Sequence, residues 1–178
     1  MTCIVGLKHE KTLYFGSDSA SSTDAGYLTS LNRSKVFKTG SILIGVAGSS
    51  RLSQVLEHRF VPPKITSKTE KYLCTQFIDR MKACLNKHAK GADFELLIGI
   101  HGRIFVIFPD WQVEEAIDDF HAIGSGKDIA RGAMYAAQDK SPEDRIRLAL
   151  EAAEKFNNGV CSPFRIESID FSSLSTKA

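Results

Sequence analysis

The chain has 178 residues, of which 43% are hydrophobic and 25% charged, and carries a formal net charge of only +2. That length suits one sizeable core and is short for two, so a single domain over 1–178 is expected, with 172–178 as a loose tail. Scattered rather than striped Lys and Arg argue against nucleic acid, no apolar run approaches the ~20 residues of a membrane span, and Lys8-His9-Glu10-Lys11 interrupts the first apolar stretch too early for a secretory signal, so the expected compartment is the cytoplasm.

In chain order, Thr2 to Lys8 and Thr12 to Asp18 are apolar runs joined by a short polar link, as in an antiparallel hairpin. Ser19 to Ser30 is rich in Ser, Thr, Asp and Gly and reads as a surface loop. Val36 to Lys38, a Thr39-Gly40 turn and Ser41 to Ala47 form a second hairpin, so the chain is expected to begin with four strands. After Gly48-Ser49-Ser50, the 3.6-residue stripe of Leu52, Val55, Leu56 and Phe60 predicts a helix that ends before Pro62-Pro63. A second helix is predicted from about Thr69 to Lys90. Glu95 to Ile100 and Arg103 to Phe108 read as strands around His101-Gly102, and Phe120 to Ile123 as a short strand. A small-residue helix over about Asp128 to Gln138 follows Gly124-Ser125-Gly126. Another starts at Ser141-Pro142-Glu143-Asp144, where a serine cap, a proline at the first position and acids at the positive dipole end coincide. A last strand runs from about Phe164 to Asp170. Hairpins alternating with helix pairs predict an α+β fold, two antiparallel sheets face to face with helices outside.

Cys3, Cys74, Cys84 and Cys161 are widely spaced with no C-x-x-C pair, and the histidines show no ligand spacing, so a zinc or thioredoxin-like site is not expected. Chemistry is instead concentrated near Thr2. Once Met1 is removed, Thr2 carries a free amine beside its own hydroxyl, and an amine titrating near pH ~8 can take the proton that makes threonine a poor nucleophile. Removal is expected, because threonine is a small second residue. Asp18 closes the second strand and Lys35 enters an apolar one, where an ammonium group is costly unless paired; Asp18 is its expected partner. Such an ammonium near the threonine hydroxyl lowers the hydroxyl's pKa and favours the neutral amine. The turns at Gly48-Ser49 and Gly124-Ser125-Gly126 lead from strand to helix, so their N–H groups lie at a positive dipole end able to hold an oxyanion.

Taken together and in order, Thr2-Cys3-Ile4-Val5-Gly6, the Gly16-Ser17-Asp18 segment, Lys35-Val36, Gly45-Val46-Ala47-Gly48 and Ala122-Ile123-Gly124-Ser125-Gly126 with its alanine-rich helix resemble a β-type subunit of the proteasome family, HslV-like in layout, among the N-terminal-nucleophile (Ntn) hydrolases. The resemblance spans nearly the whole chain and implies a four-layer αββα sandwich. It implies Thr2 as nucleophile and base, Asp18 orienting Lys35, Lys35 tuning Thr2, the Gly48 amide serving the oxyanion and Ser125 holding the amine. Arg33, Val46 and Ser50 would line the substrate pocket. The implied function is a threonine endopeptidase without cofactor or metal, acting on peptides or unfolded protein in a homo-oligomeric ring, of a kind often fed by an ATP-dependent unfoldase. Two alternatives use the same fold: an inactive structural ring subunit, and an amidohydrolase for a small amide. The chain departs from the family pattern where an acid is usual near 157–162; an asparagine stands there, with Asn158 as the expected supporting residue. An amide accepts a hydrogen bond but brings no negative charge.

Overall fold

The computed structural model describes residues 1–22, 28–30, 32–91 and 93–172. The expected tail beyond 172 lies outside the described residues. Strands β1 (Ile4–His9) and β2 (Thr12–Ser17) form the first hairpin, followed by β3 (Ala20–Ser22) and β4 (Leu28–Ser30), which pair with each other. Next come β5 (Val36–Thr39), β6 (Ile42–Gly48), α1 (Ser50–Arg59) and α2 (Thr69–Tyr72), the last running through a π-helical turn (Leu73–Phe77) into α3 (Ile78–His88). The chain continues through β7 (Phe94–Ile100), β8 (Arg103–Ile107), β9 (Val113–Glu115), β10 (Phe120–Ile123), α4 (Lys127–Ala136), α5 (Pro142–Phe156) and β11 (Arg165–Asp170).

Two sheets carry the architecture. One has the order β10-β1-β2-β11 and the other β5-β6-β7-β8-β9, each pairing antiparallel. Because successive strand residues face opposite sides, every central strand feeds two cores. In β1, Val5 and Leu7 meet Ala130, Met134, Ile146 and Leu150 of α4 and α5, whereas Ile4 joins Leu13, Phe15, Leu43 and Leu97 between the sheets. In β6, Ile42, Ile44 and Val46 face Leu52, Val55 and Leu56 of α1 and Met81 and Leu85 of α3. The result is helix pair, sheet, sheet, helix pair, the αββα sandwich.

Three features depart from the sequence reading. The polar segment from Ser19 to Ser30 contains the short pair β3 and β4 rather than loop alone, so six strands, not four, precede α1. Strand β9 is an added edge, and the second helix carries a π turn where Ile78 N–H reaches back to Leu73. No helix among the described residues is long and apolar enough to cross a membrane.

Candidate active site

Thr2 lies just ahead of β1 and is only 5% exposed. The β1–β2 hairpin returns Asp18 to it: the Asp18 N–H bonds the Cys3 carbonyl at 3.1 Å, and the Cys3 N–H donates to Asp18 Oδ1 at 2.9 Å. Asp18 is fully buried, yet its second oxygen accepts the Ala20 N–H at 2.9 Å and Lys35 Nζ pairs with Oδ1 at 2.8 Å. A buried carboxylate with two backbone donors and an ammonium has its desolvation offset by charge-assisted bonds. Lys35 stands at the mouth of β5, tied by the bond from Val46 N–H to its carbonyl. Its Nζ lies 3.0 Å from Thr2 Oγ1, so one ammonium joins carboxylate and hydroxyl. Burial pushes the Lys35 ammonium below the ordinary lysine range, and the Asp18 carboxylate works against that shift.

On the other side of Thr2, the β10–α4 turn brings up Ser125. The Thr2 backbone N–H donates to Ser125 Oγ at 3.2 Å, and the Gly126 N–H donates to the Thr2 carbonyl at 3.2 Å. The Ser125 hydroxyl faces the Thr2 carbonyl at 3.3 Å and Asn157 Oδ1 at 3.5 Å, and donates to one at a time. Here the sequence expectation needs correction: Asn157, not Asn158, meets Ser125. Asn157 caps α5, donates from Nδ2 to the Ser125 carbonyl at 2.8 Å and accepts the Gly159 N–H at 2.9 Å, while Asn158 is exposed.

Gly48 ends β6, and Ser49 caps α1 by accepting the Leu52 N–H at 3.1 Å. A Cβ at Gly48 would fall 2.7 Å from the Asp93 carbonyl oxygen, so only glycine fits this close strand pairing. Thr2 and Gly48 both line two concavities. One, of about 390 Å³, is walled by Ala20, Ser21, Arg33, Val46, Ser50 and Ser53, and so gathers Arg33, Val46 and Ser50. Arg33 is anchored there by Glu57 at 2.7 Å. The other, of about 670 Å³, lies towards Asp93, Glu95, Ser125 and Lys127.

No thiol here competes with the threonine. Cys3 is fully buried, and burial first, then the Asp18 charge, pushes its pKa up to about 12; Cys161 is also pushed up, by burial and then by Asp18. At neutral pH both stay protonated, and a protonated thiol is not a nucleophile.

No protein-family profile matches the chain, and no curated protein matches it. Solved structures do. A Thiobacillus denitrificans BPH in complex with Epoxomicin superposes with a TM-score of 0.80 at 23% identity, over 96% of this chain and 100% of that one. HslV from Trypanosoma brucei gives 0.69 at 16% identity, over 95% and 99%. The fold is that of HslV. Anbu, an ancestral β-subunit from Yersinia bercovieri, gives 0.67 at 18% identity, over 95% and 82%. At these identities the likeness concerns architecture, and a fold by itself assigns no chemistry.

Sequence reasoning therefore singled out residues that do converge: Thr2, Asp18, Lys35, Gly48 and Ser125 lie at one end of the sheets. It missed Asn157, because two successive asparagines offer no periodicity to choose between them. It also missed Glu95, whose carboxylate reaches the Ser125 turn. The available signal was an acid just inside an apolar strand, Phe94-Glu95-Leu96-Leu97, where a charge needs a partner.

Proposed function

We propose that the chain is an N-terminal threonine peptidase that works as a homo-oligomeric ring on peptides or unfolded protein. The observation that carries this reading is the Lys35 ammonium held 3.0 Å from the Thr2 hydroxyl and 2.8 Å from the buried Asp18. Once Met1 is gone, the Thr2 nitrogen becomes an amine beside Ser125. It takes the hydroxyl proton as Oγ1 attacks the scissile carbonyl carbon, and Lys35 stabilises the developing alkoxide. The Gly48 N–H serves the oxyanion. The amine returns the proton to the departing amine, leaving an acyl ester on Thr2. Water, deprotonated by the same amine, then releases the acid and restores the hydroxyl. Every step is acid–base and acyl-transfer chemistry of this chain's own groups, and the 390 Å³ pocket with Arg33, Val46 and Ser50 is the reading's site for the side chain before the cut bond.

Met1 decides whether the base exists, since its carbonyl now holds the Thr2 nitrogen in an amide and accepts the Thr2 hydroxyl proton at 2.5 Å. Intact mass should show a chain beginning at Thr2. In that form Thr2→Ala is expected to reduce hydrolysis of a fluorogenic peptide to background while leaving the fold intact; turnover retained by that variant sinks the assignment. Epoxomicin, bound by one structural neighbour, is expected to bind the wild-type chain and not Thr2→Ala. An ATP-dependent unfoldase is the proposed partner, in the cytoplasm.

A further inference from the structure

Glu95 has no role in the chemistry above, yet it ties the two sheets together beside the active site. It is the second residue of β7 and opposes Ala47 in register. By the two-residue period of a strand it shares its face with Leu97, which lies in the core between the sheets. At this end of the sandwich the opposite sheet supplies the β10–α4 turn. Glu95 Oε2 accepts the Gly124 N–H at 2.8 Å, and Oε1 pairs with Lys127 Nζ at 2.8 Å. One carboxylate thus grips the residue before Ser125 and the second residue after it. Burial works against the Glu95 charge, but the bonds from Lys127 and Gly124 outweigh it and hold its carboxyl below the usual range.

The gripped turn is set tightly on Thr2. Gly124 sits at φ +87°, and a Cβ there would lie 2.4 Å from the Thr2 carbonyl oxygen. We propose that Glu95 is a positioning residue: by clamping Gly124 and Lys127 it holds Ser125 Oγ against the Thr2 nitrogen. The proposal rests on the reading of that nitrogen as the base. A rival role exists, because Glu95 also lines the 670 Å³ groove with Asp93 and Asp128 and could touch a bound peptide there. A substrate contact changes KM; a positioning role changes kcat.

The test compares wild type, Glu95→Gln, Glu95→Asp and Lys127→Met, all beginning at Thr2. The amide keeps an acceptor oxygen for Gly124, whereas aspartate keeps the charge but withdraws it by one methylene. Two quantities are measured: amide hydrogen exchange over the turn 123–126, and kcat with KM on a fluorogenic peptide. A hydrogen bond to a charged group contributes about 1.5–3 kcal/mol, so Glu95→Asp should speed Gly124 exchange about tenfold or more. A misplaced base-holding group should then lower its kcat by roughly tenfold with KM within about twofold. Glu95→Gln, whose amide oxygen still accepts from Gly124 but which loses the Lys127 ion pair, should like Lys127→Met speed exchange about threefold and keep kcat within about threefold of wild type. Unchanged exchange in Glu95→Asp overturns the clamp, as does a loss confined to KM or an equal loss in Glu95→Gln and Glu95→Asp. If Glu95→Asp does not fold, unchanged exchange in Lys127→Met overturns it alone. Exchange needs no turnover: faster exchange in proteins that are all catalytically silent keeps the clamp and sinks the peptidase reading.

Discussion

Lys35 sits where two opposing effects meet. Burial of its ammonium, 16% exposed, favours the neutral form, and the ion pair with fully buried Asp18 favours the charged one. Burial prevails, so the proton leaves Lys35 at a lower pH than it leaves an ordinary lysine near 10.5. If the charged form is needed to stabilise the Thr2 alkoxide, the rate falls as pH rises through the Lys35 pKa. The alkaline limb of kcat should therefore lie below pH 10.5, and a limb at or above that value would contradict the assignment. Lys35→Ala removes both the tuning charge and the partner of a buried carboxylate. It should cost about 3–5 kcal/mol of stability, read as a lowered denaturation midpoint, as well as silencing hydrolysis. Turnover near wild type would leave Lys35 only structural. Cys3, adjacent in sequence, illustrates the contrast: its thiol at about 12 is inert at neutral pH, and its contribution is packing against α4 and α5 together with the N–H it gives Asp18.

Two strand-to-helix connections build the site, and they explain what could be read in advance. Gly48-Ser49 and Gly124-Ser125-Gly126 combine glycine, a small polar residue and a following helical stripe, a pattern visible without coordinates. Replacing the α1 cap, Ser49→Ala, should cost about 1 kcal/mol by thermal or denaturant unfolding, because the Leu52 N–H loses its acceptor. No measurable destabilisation would mean that the cap is redundant. Gly48→Ala drives a Cβ to 2.7 Å from the Asp93 carbonyl and should lower kcat through displacement of the 48 N–H, with wild-type kinetics as the contrary result. The paired apolar strands and the capped helices were equally legible, since burial follows their two- and 3.6-residue periods. The pair β3 and β4 was not, because Ala20–Ser22 and Leu28–Ser30 are short and polar and have no alternation to betray them. Strand β9, with three residues at a sheet edge, and the π turn inside an unbroken apolar stripe are silent for the same reason. Asn157 owes its role to the place where α5 stops, and an end that varies by one residue is beyond what a helical stripe can specify.

The sandwich gathers the proposed site at one end because both sheets terminate there: Thr2 lies just ahead of β1, β6 ends with Gly48, Glu95 is the second residue of β7 and β10 leads into Ser125. Convergence of Thr2, Asp18, Lys35, Gly48 and Ser125, spread over more than a hundred positions, follows from topology; the Asp18–Lys35 pair was readable from the cost of a buried ammonium, and the full set through resemblance to a known layout. The proposed ring is tested by native mass, which should be an integer multiple of 19.6 kDa well above one chain; a monomer would contradict assembly. Val61, Ile117, Tyr135 and Phe156 are exposed apolar side chains that such contacts would have available to cover. The central claim, that Thr2 is at once nucleophile and base, is tested most directly by fluorogenic-peptide turnover in preparations whose first residue has been mapped. Chains beginning at Thr2 should cleave the peptide, and those retaining Met1 or carrying Thr2→Ala should not. Equal turnover with Met1 retained, or any Thr2→Ala turnover above background, would contradict it.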